Sequence, residues 1–324
     1  MIKAGFVVIG RNEGARLIAC LNSLNDAGGG PVVYVDSGST DASVVEAEQR
    51  GASVVSLDVH LPFTAARARN AGLKHLRALY PELEFVQFVD GDCTLSPDWI
   101  PKAHAFMKEH PDVVVVCGRR REHQPHASLY NRLCDLEWNT PIGEALACGG
   151  DALMRIDAIV AAGGYRDDLI AGEEPELCVR LREAGLRIWR LDSEMTLHNA
   201  AITRFEQWWR RSERAGHAFA EVSNLHRSSA AGIWRAETRR ALLWSGFAPV
   251  VILLGVAVSP FFFAGLLAYP IQVLRLYSRY SRAGSDALPR AVLSVIGKFA
   301  ETKGAVGYWV RRLGVSRQRL IEYK

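Results

Sequence analysis

FVQFVDGDCTLSPDWI, residues 85–100, carries an apolar stretch from Phe85 to Val89 directly into two carboxylates, Asp90 and Asp92, with only Gly91 between them. A short apolar run bounded by turn residues reads as a buried strand. Two like charges this close raise each other's pKa unless a cation sits between them. A D-G pair is also a common turn signal, so the pair alone leaves a plain turn open. A divalent metal removes the conflict. Oxygen donors suit Mg2+ or Mn2+, and such sites often share the metal with substrate phosphates. Glycine between the acids lets the backbone approach a ligand closely.

Outward from this strand, the first half alternates strands and helices. AGFVVIG (4–10), PVVYVD (31–36), SVVSLD (53–58), FVQFVD (85–90) and VVVVCG (113–118) read as strands. Residues 12–24, 42–51, 63–80 and 96–110 read as helices, with Asp41 a candidate cap for the second. This alternation predicts a three-layer α/β/α, Rossmann-like, mostly parallel sheet. Neither G-x-G-x-x-G nor G-x-x-x-x-G-K-[ST] occurs in the first half, which weighs against a dinucleotide-binding domain and a P-loop. Asp36, Asp41, Asp90 and Asp92 all fall at or just past the carboxyl ends of expected strands, the edge where open α/β sheets bind ligands. Further on, GEEPELCVRLREAG (172–185) reads as a helix from about Pro175 to Ala184, ended by Gly185.

The 324 residues hold 39 Lys+Arg and 35 Asp+Glu, a net +4 that conceals a division. Residues 200–324 carry 19 Lys+Arg against 7 Asp+Glu, leaving +12 there and −8 in the first 199. The basic half also contains 34 uncharged positions, 241–274. That exceeds the roughly 20 residues of one membrane span and falls short of two full ones. Pro249, Pro260 and Pro270 are expected to break or kink helices there. Basic residues on both flanks fit a hairpin or re-entrant element with both ends on the cytoplasmic side. A basic, apolar half points to an anionic membrane surface and not to nucleic acid, since no aromatic-basic interleaving is present. Six scattered cysteines without a CxxC pair read as reduced, buried thiols. The apolar N-terminal stretch is too short for a signal peptide. The expected organisation is a catalytic domain over 1–200, a basic amphipathic helical linker over 201–240, a hydrophobic membrane segment over 241–275 and a basic helical tail over 276–324, whose helix and final basic run are expected on the membrane surface.

Five pieces together, VVIGRNEG (7–14), VDSGSTD (35–41), RARNAG (67–72), FVDGDC (88–93) and GEEPELCVRLREAG, resemble a family 2 glycosyltransferase with the GT-A fold, of the membrane-associated bacterial envelope or exopolysaccharide type. The resemblance covers roughly residues 5–200. It implies inverting transfer of a sugar from a nucleotide-diphosphate sugar. Glu13 and Asp36 match positions that contact base and ribose. The Arg67/Asn70 helix matches one lying near the nucleotide sugar, and Asp90 and Asp92 match the DxD pair, Asp92 the more direct metal ligand. Glu174 stands where the family usually has an aspartate as general base, so Glu173 rivals it. His198 lies where some relatives place a histidine near the metal. Implied with these are Mg2+ or Mn2+, a polyprenyl-linked or glycolipid acceptor, and a site on the cytoplasmic face of the inner membrane. RFEQWWRR lacks the order of the processive Q-x-x-R-W motif. The residues leave two other classes open, a non-catalytic membrane glycan-assembly protein and a nucleotidyltransferase on a related fold.

Overall fold

The computed structural model describes residues 2–283 and 286–314, so the basic run expected at the end of the chain lies largely outside the described residues. The chain divides into two compact units. One comprises residues 1–125 and 134–201, the other 126–133 and 202 onward.

The first unit is built on a nine-stranded sheet in the order β3-β2-β1-β4-β8-β6-β9-β5, with β7 on β9. Its strands are β1 (Ala4–Gly10), β2 (Val32–Asp36), β3 (Ser53–Ser56), β4 (Phe85–Asp90), β5 (Cys93–Leu95), β6 (Val113–Glu122), β7 (Gly143–Ala145), β8 (Ala152–Arg155) and β9 (Arg187–His198). β3, β2, β1 and β4 run parallel, as the alternating pattern predicts. Beyond them the sheet is mixed: β8 is antiparallel to both β4 and β6, while β6 and β9 are parallel. β8 reaches its place after a short connection that supplies no crossover helix, and antiparallel pairing needs none.

The helices of this unit are α1 (Ala15–Asp26), α2 (Ser43–Gln49), α3 (Ala65–Leu79), α4 (Trp99–Glu109), α6 (Ile156–Ala161) and α7 (Glu173–Glu183), with α5 (Leu129–Glu137) crossing the division between the units. Phe6, Val7, Val8, Val33, Val35, Val86, Phe88 and Val115 form the apolar centre. Burial on both faces explains why these strands read as unbroken apolar runs. Gln87, fully buried in β4, is satisfied by accepting 2.8 Å from the Trp99 indole N–H and donating 2.8 Å to the Phe88 carbonyl. All six cysteines are free and buried, and the closest pair, Cys148 and Cys178, have sulfurs 3.7 Å apart.

The second unit is helical: α8 (Phe205–Leu225), α9 (Arg235–Ala257), a 3-10 helix (Pro260–Leu267), α10 (Ala268–Tyr280) and α11 (Ala287–Arg312). α11 does not lie apart as a surface tail. Its apolar stripe, Ala291, Val295, Ala300 and Tyr308 among it, is buried, and Gly304 packs on the α8 backbone at Glu213. Trp208 is buried against Gly297 and near Tyr130. Pro249 does not end α9. The Tyr269 hydroxyl enters the opened turn, donating to the Trp244 carbonyl at 2.5 Å and accepting from the Ala248 N–H at 3.1 Å, so the backbone groups beside the proline are satisfied. The chain turns at Ser259, whose hydroxyl accepts from the Phe261 N–H, and Phe263 packs back on Gly255. Arg235–Ala257 and Pro260–Tyr280 are both long and apolar enough to cross a membrane by length and composition.

α3 is seated through Gly72, where an added Cβ would meet Val7 and stand 2.8 Å from Val35 Cγ2. Gly72→Ala is therefore expected to destabilise the protein by about 1–3 kcal/mol through overpacking, read as a lowered midpoint in urea unfolding.

Candidate active site

Strand register brings the acidic residues together. Gly10 of β1 pairs with Asp36 of β2, and Ile9 pairs with Asp90 of β4, so the carboxyl ends of three adjacent strands align. The two N-terminal turns lock onto each other. The Asn12 amide oxygen accepts from the Thr40 N–H at 2.7 Å, and the Asn12 N–H donates to Ser39 Oγ at 2.9 Å. Asp36 accepts from the amides of Gly38 and Ser39, both at 2.9 Å, and from the Tyr34 hydroxyl at 3.2 Å. The Asp41 carboxylate accepts from the Ser43 N–H at the start of α2 at 3.0 Å, and hydrogen bonding to Ser43, through its hydroxyl first and its N–H second, holds the Asp41 pKa below the usual range. The Glu13 side chain lies over Gly10 and Gly91, beside the Asp90–Asp92 turn.

At the centre is Arg69, a residue the sequence reading passed over. It is buried on α3, with Nη2 2.8 Å from Asp90 Oδ1 and Nη1 2.8 Å from Glu173 Oε1 and 2.9 Å from Glu174 Oε1. One guanidinium thus joins the end of β4 to the first turn of α7. Gly150 permits this: a Cβ there would stand 2.6 Å from Arg69 Nη2 and 2.8 Å from Asp90 Oδ2. A signal for Arg69 exists in the sequence, since Ala66, Arg69, Leu73 and Leu76 share the spacing of one helix face, and an arginine on an apolar stripe is directed inward. Arg67 and Asn70 lie outside this cluster. The Arg67 guanidinium donates to the carbonyls of Asp58, Leu61 and Pro62, and Asn70 holds Tyr165 and Asp167.

A second unforeseen pair, Asp151 and Arg120, backs Asp90. Fully buried Asp151 accepts from the Asp90 N–H at 3.0 Å and the Thr196 hydroxyl at 2.8 Å, and it pairs with Arg120 Nη2 at 2.7 Å. Arg120 Nη2 also lies 3.5 Å from Asp90 Oδ2. Both Asp90 oxygens therefore face guanidinium groups. The sequence hid this because Arg120 sits among three consecutive arginines, where nothing local marks the one turned inward.

Asp92 is buried, and pairing of Cys93 with His198 across β5 and β9 sets its Oδ1 3.4 Å from His198 Nε2. Trp138 packs edge-on to the His198 ring at 4.9 Å. Burial, and then Arg120, push His198 down to about 4, so its imidazole is neutral at neutral pH. Its Nδ1 is buried without a hydrogen-bond partner. A buried carboxylate and a neutral imidazole at this separation fit adjacent positions around one small divalent cation, whose bonds are about 2.0–2.1 Å. Cys93 also lies within reach, but burial, then Asp151, hold its thiol far above the usual range, so it offers no ready thiolate.

Glu173 and Glu174 open α7 after Gly172, which adopts φ +85°. Glu176, the third acid of the turn, is instead taken by Arg180 at 2.7 Å. Glu173 is buried, whereas the Glu174 side chain keeps 12% exposure. Burial and then the neighbouring Glu173 charge push Glu174 up to about 7, an effect Arg69 only partly offsets. A carboxyl poised near neutral pH can exchange protons in either direction.

The fold and the site define a class: an α/β domain with acidic groups at the carboxyl edge of its parallel strands, where Asp92 faces His198 and Glu173 and Glu174 share Arg69. Residues 6–158 match the family described as Glycosyl transferase family 2. A 51-residue segment is 45% identical to the succinoglycan biosynthesis protein ExoA of Rhizobium meliloti (strain 1021), covering 16% of this chain and only 16% of that protein's length. The mannosyltransferase PcManGT from Pyrobaculum calidifontis, solved with GDP-Man and Mn2+, superposes with a TM-score of 0.65 at 16% identity over 94% of this chain and 87% of that one. S. aureus TarS 1-349 superposes at 0.53 with 17% identity over 97% and 92%, and it has also been solved with UDP-GlcNAc. The chain shares the fold of these proteins, and residues 6–158 of its first unit are similar to family 2 glycosyltransferases.

Arg69→Met removes the cation from three carboxylates at once. It is expected to cost about 3–5 kcal/mol at pH 7.5, as for breaking one side of a buried ion pair. The difference from the parent protein should narrow below about pH 4, where carboxylates protonate; thermal unfolding across pH reads both.

Proposed function

We propose that the protein is an inverting, metal-dependent glycosyltransferase that moves a sugar from a nucleotide-diphosphate sugar to a lipid-linked or other envelope glycan acceptor. The observation that carries this reading is the division of labour at the sheet edge. Asp92 and His198 fit a cation, while Glu174, across Arg69, is held near neutrality. Asp92 and His198 hold Mg2+ or Mn2+ in this reading, with Asp90 fixed beside them. Glu13 and Asp36 border the nucleoside end, and Arg67 and Asn70 anchor the loops that enclose the donor. When bound, the cation offsets negative charge developing on the departing diphosphate.

Glu174 takes the proton of the acceptor hydroxyl as its oxygen attacks the anomeric carbon. The bond from that carbon to the diphosphate oxygen breaks, its electron pair leaves with the nucleoside diphosphate, and in-line displacement inverts the centre. Glu173, paired to the same guanidinium nitrogen, holds Glu174 high enough to be protonated and deprotonated near pH 7.

The family match, the fold shared with PcManGT and the segment shared with a succinoglycan biosynthesis protein support this assignment. The second unit supports a membrane-held acceptor. Its apolar arms expose Leu253, Val256, Phe261, Leu267 and Ile271, with Phe261 83% exposed, and both flanks are basic. That arrangement suits the cytoplasmic face of the inner membrane.

Glu174→Gln is expected to lower kcat by about 10²–10⁴ with nucleotide-sugar binding retained. In the parent enzyme kcat should rise with pH around 7 as Glu174 deprotonates, and in Glu173→Gln this limb should move to lower pH. The sign for stability is opposite. A carboxyl raised on folding loses its contribution as pH climbs from about 4.5 towards 7, and Glu174→Gln should flatten that slope. A rate profile indifferent to both substitutions would exclude Glu174 as the base.

A thermal shift with a nucleoside diphosphate that needs Mn2+ or Mg2+ and disappears in Asp92→Asn tests the donor site directly. Separately, flotation with vesicles containing anionic lipid should be strong for the whole chain and weakened by Phe261→Asp with Leu253→Asp. Equal flotation of that double variant would argue against the apolar arms as the anchor.

A further inference from the structure

An open cleft of about 610 Å³ in the first unit has Arg119, Arg190, Asn139, Thr140, Ser193, Asp192 and Glu194 in its lining. None of these residues belongs to the carboxylate cluster described above. Arg190 is 3% exposed, yet among the described residues it forms no salt bridge. Its hydrogen bond, 3.4 Å from Nη2 to the Asn139 amide oxygen, is to a neutral group, and its Nε is buried without a partner. Arg119 pairs through Nη2 with Asp135 at 3.1 Å, but its Nη1 is likewise buried and unpartnered. A buried guanidinium without a counter-charge costs several kcal/mol in desolvation, and buried charges are normally paired.

The backbone is shaped around this pair. β6 and β9 keep register at Cys117↔Arg190 and again at Arg119↔Glu194, so β9 advances four residues while β6 advances two. Leu191 to Ser193 thus stand against Gly118 alone and bulge at the cleft, and bulges of this kind re-aim side chains beside binding sites. Burial holds the Arg119 guanidinium below its usual range, with Asp135 opposing the shift and Arg121 and Arg190 adding to it.

We propose that this cleft is a binding subsite for a hydroxylated ligand carrying one anionic group, seated between the guanidinium groups of Arg119 and Arg190. Asn139, Thr140 and Ser193 provide neutral hydrogen-bonding groups around it. Asp192 and Glu194, also in the lining, repel an extended polyanion and so favour a ligand with a single charge. A sugar carboxylate and a phosphate share this chemistry. The assignment does not depend on the transferase reading, because it needs neither the cation pair nor Glu174.

The test uses the full chain in detergent, in EDTA and at constant ionic strength, titrated with glucuronate, inorganic phosphate and, as a neutral control, glucose. Saturable binding of at least one anion is expected, unchanged in Asp92→Asn and weakened at least ten-fold in both Arg119→Gln and Arg190→Gln. The tighter of the two anions identifies the source as carboxylate or phosphate. Without anion, Arg190→Met should melt at or above the parent midpoint, since an uncompensated buried charge is gone. Any of three results overturns the proposal: no saturable binding, binding indifferent to both arginine substitutions, or a lowered midpoint for Arg190→Met without anion.

Discussion

One guanidinium group, that of Arg69, sets the arrangement on which the site depends. Three carboxylates from two separate elements, Asp90 at the end of β4 and Glu173 and Glu174 at the start of α7, converge within 3 Å of its nitrogens. Without a cation among them their mutual repulsion would open this edge. With it, they are fixed relative to one another, and the balance is left deliberately incomplete at Glu174. Three acids share this guanidinium, Arg120 lies near Asp90 alone of them, and burial keeps Glu174 near neutrality. The same imbalance that makes this corner electrostatically costly supplies a group able to accept a proton near pH 7.

The opposite flank of Asp90 follows a different logic. Asp151 and Arg120 form a fully or largely buried pair whose remaining hydrogen bonds go to the Asp90 backbone and to Thr196. Asp90 is thereby held by its main chain and by both oxygens, which leaves Asp92 and His198 as the neighbouring pair suited to a cation. Arg120 also contributes to keeping His198 neutral. A protonated imidazole would repel a metal, whereas a neutral one offers a lone pair. One arginine therefore serves both neighbours, through attraction in one case and repulsion in the other.

In the helical unit, satisfaction of the backbone is the governing constraint. The arms from Ala241 to Leu274 have few polar side chains to offer, and Pro249 opens the ladder of α9. The Tyr269 hydroxyl fills that opening from the returning arm. In an apolar surrounding an unsatisfied amide costs several kcal/mol, so this contact allows a proline-bearing helix to continue instead of breaking. Small residues do the rest: Gly255 admits Phe263, and Gly304 admits the backbone of α8.

The sequence by itself determined the parallel core strands, the strand-end position of Asp36, Asp90 and Asp92, the helix that follows the Glu173–Glu174 pair, and the apolar, basic-flanked second half, whereas the structure starts that helix at Glu173. Each is a local property, carried by periodicity, by turn residues or by charge within a few positions. Tertiary structure alone decided what those residues meet. Arg67 and Arg69 are two positions apart and equally basic, yet one caps loop carbonyls and the other is buried among carboxylates, because a helix turns them to different faces. Arg120 and Asp151 become partners over 31 positions, and β8 slots antiparallel between β4 and β6. Whether Pro249 breaks or only interrupts its helix was decided by a hydroxyl twenty residues away. Long-range pairing of buried charge leaves little trace in a single chain's spacing, since the energy that selects it arises only once both partners have left water.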